Sequence, residues 1–207
     1  MNAVDVDTTM DVILIGTLAA AWLAAGLLAD RMHNAGTARQ LRRRALLVSA
    51  LLGAGVAVFV AVPLVAALLP GVSAAPTAAL LPAVPALIVV TVTVRRLGWV
   101  RRGAGAFATA PRTPIPPGLR AAAAHPLLAA PLQVTGLAAL VALPIAGRLV
   151  ALPGGEATGV AGFAVIGIAL AIAGIAVRAG VRHSRLAPLV SAPLGRRAPE
   201  KIPAGAR

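Results

Sequence analysis

The chain has 207 residues, of which 59% are hydrophobic and 12% charged, with a mean hydropathy of +0.90 and a net charge of +13. That charged share is about half what a soluble surface carries, and the apolar residues come in runs long enough to cross roughly 30 Å of hydrocarbon. Composition therefore predicts an all-α, multi-pass transmembrane bundle and excludes a β-barrel, whose short alternating strands are missing. With no cysteine there are no disulfides or thiolate metal sites, and with two tryptophans and three phenylalanines there is no base-stacking surface, so nucleic acid is not a partner.

The chain opens with "MNAVDVDTTMD", an acidic segment read as an exported tail over 1–11. A secretory signal would begin with positive charge, so the first apolar run reads as an anchor. Five spans are predicted, over about 12–29, 45–69, 77–94, 127–147 and 158–177, with the fourth helix free to begin near Gly118. Residues 178–207 read as a basic cytoplasmic tail, largely disordered because proline and glycine recur in it.

Charge sets the expected orientation. The segments after spans one, three and five hold 18 basic residues and two acidic ones, Asp30 and Glu200, a net of +16. The N-terminus and the loops after spans two and four hold Arg148 against Asp5, Asp7, Asp11 and Glu156, a net of −3. Positive segments stay cytoplasmic, so the N-terminus is expected outside and the C-terminus inside. Arginine far outnumbers lysine and alanine abounds, a bias expected of a GC-rich bacterial genome; the plasma (cell inner) membrane is the predicted location.

The outer loops "PGVSAAP" and "LPGGEA" are tight turns that predict antiparallel hairpins. The inner loop 95–126 is the longest. Its opening "RRLGWVRR" places Trp99 between arginine pairs, as in an interfacial segment, and "PRTPIPPG" reads as extended and semi-rigid. Arg95, Arg96, Arg101 and Arg102 are the predicted contacts with anionic lipid at the cytoplasmic face.

Small residues recur four apart at Gly16, Ala20 and Ala24, at Gly53 and Ala57, and at Gly167 and Ala171. These are the candidate helix-packing contacts, although an alanine-rich chain also generates such spacing by chance. Prolines interrupt span two at Pro63, span three at Pro82 and Pro85, and span four at Pro131 and Pro144. Broken helices can line a transport site, but neighbouring helices commonly satisfy the freed backbone instead.

No ionisable group is expected deep inside a span, which removes the usual signature of a proton or ion pathway. Gln133 and Thr135 are the candidate intramembrane polar contacts, to a neighbouring helix or to a substrate. His33, His125 and His183 fall near cytoplasmic helix ends without ligand spacing, so no metal and no cofactor is assigned. "GVSA" at Gly71–Ala74 superficially resembles the serine motif of intramembrane proteases. Ser73 lies in an outer loop with the histidines on the other face, so that reading is rejected and no catalytic residue is named. The expectation is a structural or accessory membrane protein acting through packing with itself, as a homo-oligomer, or with a membrane partner. A transporter or permease subunit is the alternative, and a membrane enzyme has the weakest support.

Overall fold

The computed structural model describes residues 3–68, 73–109 and 114–149, together with Ala171, Gly174, Ile175, Arg178 and Val181. All regular structure among them is helical: α1 (Ala3–Asp30), a 3-10 turn (Met32–Asn34), α2 (Ala38–Leu68), α3 (Ala75–Ile88), a π-helical turn (Val89–Thr93), α4 (Val94–Phe107), α5 (Pro117–Ala123), α6 (Pro126–Val141) and α7 (Leu143–Ala146). Four stretches are long and apolar enough to cross a membrane: Asp7–Asp30, Ala38–Leu68, Ala75–Phe107 and Pro117–Ala146. The predicted fifth span, 158–177, and the tail, 178–207, lie outside the described residues except at the five isolated positions named above.

Three boundaries differ from the sequence reading. Helix α1 begins at Ala3 and so takes in most of the acidic segment read as a tail. Helix α2 begins at Ala38, seven residues before the predicted span, because Thr37 and Gln40 cap it. Gln40 N–H donates to Thr37 Oγ1 at 3.2 Å, while Gly36 N–H donates to Gln40 Oε1 at 2.9 Å. This is a variant of the capping box, with the return bond made to the residue before the cap. Third, "RRLGWVRR" does not leave the span as a separate surface segment. The helix runs on through the π-helical turn into α4, which ends at Phe107.

The helices alternate in direction around a ring. Helix α1 packs antiparallel to α6 on one side and to α2 on the other, α2 packs on α4, and α3 closes the ring against α6. A larger core runs from Leu18 and Trp22 through Met32, Leu41, Val48, Leu97, Val100 and Leu119 to Leu128 and Leu132. A smaller one, at the end where α1 begins, gathers Ile15, Val62, Ala75, Ala78, Ala142 and Ala146.

The two ends of the bundle are unlike. Helix α2 has 31 residues, about 46 Å at 1.5 Å per residue, so it outruns the hydrocarbon by about a third of its length. The excess lies at the arginine end, where the first turns of α2, the body of α4 and α5 stand together. Met32, Leu41, Leu97, Val100, Ala104, Ile115 and Leu119 are buried among them, and Thr37 pairs with Pro114 across the loops. Arg31, Arg39, Arg42, Arg43, Arg95, Arg96, Arg101, Arg102 and Arg120 are exposed on this cap. Arg178 reaches Asp30 at 3.2 Å.

Candidate functional site

Apart from Ser49, which donates to Ala45 O within α2 at 2.8 Å, the polar groups inside the bundle fall into three places: the seam between α1 and α6, the start of α3, and the proline breaks. Each begins from a backbone requirement that the local sequence creates.

At the seam, glycine lets two backbones meet. A Cβ on Gly26 would lie 2.6 Å from Gln133 Cγ and 2.9 Å from Gln133 N, and one on Gly136 would lie 2.8 Å from Leu23 N. Nothing larger than hydrogen fits at either position. Gln133, half-buried, donates from Nε2 to Gly26 O at 3.3 Å, which ties its side chain to the neighbouring helix. Beside it is a cavity of about 20 Å³ bordered by Asp30, His125, Gln133 and Arg178, which is room for about one water. Thr135 is fully buried and donates to Pro131 O at 2.6 Å within its own helix. On the other flank of α1, Trp22 is fully buried and stacks on Phe59 with ring centroids 6.0 Å apart. Its indole lies on Gly55, where a Cβ would come within 2.0 Å of Nε1, and that N–H has no hydrogen-bond partner.

At the start of α3 stands a group that the sequence reading placed in the tail. Asp11 is 1% exposed. Its Oδ1 accepts from Ser73 Oγ at 2.7 Å and its Oδ2 from Ala74 N–H at 2.7 Å, while Ser73 Oγ accepts from Ala75 N–H at 3.2 Å. A carboxylate from α1 thus caps a different helix at its electropositive end. Both roles of the Ser73 hydroxyl are occupied by this cap. Asp11, expected in an exposed tail, is instead buried at one end of the bundle, not deep inside a span, and hydrogen bonds make that burial tolerable. A sequence signal existed, since Ser73 followed by Pro76 marks a helix start.

The break at Pro131 is repaired by a neighbouring helix. Pro131 has no N–H to offer Leu127 O four residues back. Thr93, fully buried in the π-helical turn, donates to that carbonyl at 3.0 Å. Pro144 ends α6, and α7 then closes with Arg148 at φ 56, where Arg148 N–H donates to Ile145 O at 2.9 Å and Leu149 N–H to Pro144 O at 2.8 Å. This is the two-bond helix stop usually made with glycine.

The remaining predicted residues are placed as follows. Gly16 is half-buried, 3.7 Å from Leu143 Cδ2 by its would-be Cβ, whereas Ala20, Ala24, Gly53 and Ala57 are exposed. Ala171 is exposed, and Gly167 lies outside the described residues. Close contacts inside the chain are made by Gly26, Gly55 and Gly136, none of which belongs to those stripes. Arg95, Arg96, Arg101 and Arg102 are all exposed on α4. His125 caps α6, its Nδ1 accepting from Leu127 N–H at 3.2 Å; His33 sits in the 3-10 turn, and His183 lies outside the described residues. Among the described residues no three His, Cys, Asp or Glu side chains gather to hold a metal ion. No protein-family model, curated protein or solved structure matches this chain.

Proposed function

We propose that this chain is a structural or accessory protein of the plasma membrane that acts through helix packing with itself or with a membrane partner. The supporting observation is the use made of its intramembrane polar groups. Asp11, Ser49, Thr93, Gln133 and Thr135 are each bonded to a backbone group of this same chain. The space beside Gln133 and the break at Pro126 takes about one water, whereas a permease would need a hydrated route there.

The faces available to a partner lie on α1 and α2. Ala20 and Ala24 are exposed on one helix, and Gly53 and Ala57 on the other. Trp22 against Gly55 sets the register of this antiparallel pair, which puts Ala24 level with Gly53 and Ala20 level with Ala57. Small residues at matched depth let another helix come close enough for dispersion contacts and Cα–H···O bonds. In vesicles, energy transfer between labelled copies is the test, with co-purification from the native membrane as its counterpart for a different partner. The combined Ala24→Leu and Gly53→Leu variant is expected to weaken association at least about tenfold, or roughly 1.4 kcal/mol. Unchanged association in both assays would reject these faces as the contact.

For orientation we propose five crossings, with the N-terminus outside and the C-terminus in the cytoplasm. Support comes from described residues on either side of the last crossing. Gly147 approaches Val12 at the Asp11 end of the bundle, and Arg178 meets Asp30 at the opposite end. Reporter fusions at both termini are expected to give opposite sidedness, with an N-terminal reporter active outside. The same sidedness at both termini would remove the fifth crossing.

A further inference from the structure

A groove of about 490 Å³ opens between α2 and α4, at one depth in the bundle. Ser49 and Leu52 form its α2 wall, and Val94, Arg95, Arg101 and Arg102 line it from α4. The α4 positions recur at helical spacing and share a face. Gly98 stands in the middle of that face, and a Cβ there would lie 3.6 Å from an Arg102 guanidinium nitrogen. The arginine therefore lies back across a floor that a side chain would have raised. Leu52 and Leu97, at 6% and 2% exposure, make the base of the groove apolar.

Its depth identifies the occupant. Ser49 stands about 20 residues from Leu68 along α2, and Val94 about 20 residues from Ala75 along the α3–α4 helix. Each interval is about 30 Å, one hydrocarbon thickness. The apolar wall thus ends, and the guanidinium groups begin, at the level where acyl chains give way to headgroups. The charge is also one-sided. No carboxylate is among the described residues that line the groove beside Arg95, Arg101 and Arg102, and Asp30 pairs with Arg178 outside it.

We infer that this groove is a binding site for a single phospholipid with an anionic headgroup. Guanidinium groups hold the phosphate through paired N–H donors, and the acyl chains lie down Leu52, Val94 and the outer faces of α2 and α3. Arg96, though exposed, does not line the groove and takes no part. The site rests on the bundle spanning a bilayer with its arginine end at the surface.

The test uses the full chain reconstituted in vesicles of phosphatidylcholine with and without phosphatidylglycerol, followed by mass measurement of the lipids retained on extraction into neutral detergent. Flotation with the vesicles checks the membrane reading first; a chain that does not float fails at that step and not at the groove. The expected result is one retained phosphatidylglycerol per chain, at least about tenfold in excess over phosphatidylcholine. Removing the three groove charges (R95Q, R101Q and R102Q) abolishes this preference. Gly98→Leu, which fills the floor and leaves every charge in place, abolishes it too. Removing three charges elsewhere on the cap (R39Q, R42Q and R43Q) leaves it intact. Equal loss in both triple variants would overturn the site in favour of diffuse surface charge, as would retention in Gly98→Leu. Displacement of the lipid by millimolar inorganic phosphate would make it a site for soluble anions and overturn the assignment.

Discussion

Gly136→Ala and Gly26→Ala are each expected to lower the stability of the bundle by about 1–3 kcal/mol, although alanine is the better helix former. The reason is what the new methyl group would meet. At Gly136 it falls 2.8 Å from Leu23 N, and at Gly26 it falls 2.9 Å from Gln133 N. A flexible side chain could swing aside, but a helix backbone moves only as a whole. Helices α1 and α6 must separate, and the Gln133 bond to Gly26 O stretches beyond its present 3.3 Å. The two sites share one seam, so their effects should not add. Gly53→Ala is the control: nothing lies within 4 Å of its would-be Cβ, and no loss is expected. Unfolding titrations in mixed micelles, followed through the buried Trp22, provide the measurement. Equal midpoints for Gly136→Ala and Gly53→Ala would contradict the close approach.

The second large effect is expected at Asp11. Asp11→Ala removes the acceptor for both Ser73 Oγ and Ala74 N–H. Leaving a buried donor unmade costs about 1–3 kcal/mol, and bonds to a charged acceptor stand at the upper end of that range. Asp11→Asn keeps one carbonyl acceptor and the side chain's shape, so an intermediate loss is expected. Hydrogen exchange locates the damage. Amides at the start of α3 should lose protection in Asp11→Ala, while those of α2 and α4 at the far end keep theirs. Loss spread evenly over the bundle would mean that Asp11 does not act as the cap of α3.

The helical class and the four long spans could be read from composition and run length, because hydrocarbon thickness imposes both. The facing of the helices could not. In water a buried face is apolar and an exposed face polar, so a pattern shows which is which. In a bilayer both are apolar, and the packed residues Leu18, Trp22 and Ala25 differ little in kind from the exposed Ala20, Ala24 and Leu27. The spacing rule therefore singled out Gly16, Ala20 and Ala24, while the contacts within the chain went to Gly26, Gly55 and Gly136. Asp11 was hidden for a different reason. Its partner lies 62 residues away, and a charge at the edge of an apolar run looks the same whether it faces water or another helix. The continuation of α3 into α4 was masked by its arginines, which signal a membrane boundary without ending a helix.

The bond from Thr93 to Leu127 O ties two positions that are distant in sequence into one decision. With proline at 131, α6 cannot close its own turn and depends on the hydroxyl of a neighbour. Give position 131 an N–H and the debt disappears: α6 heals itself, and position 93 is released to become valine. Lose the hydroxyl first, with the proline still present, and a carbonyl is stranded in the interior. The permitted order of change thus runs one way, from 131 to 93. A lineage of this sequence is expected to lose the proline before the threonine, because the reverse order costs about 1–3 kcal/mol on the way.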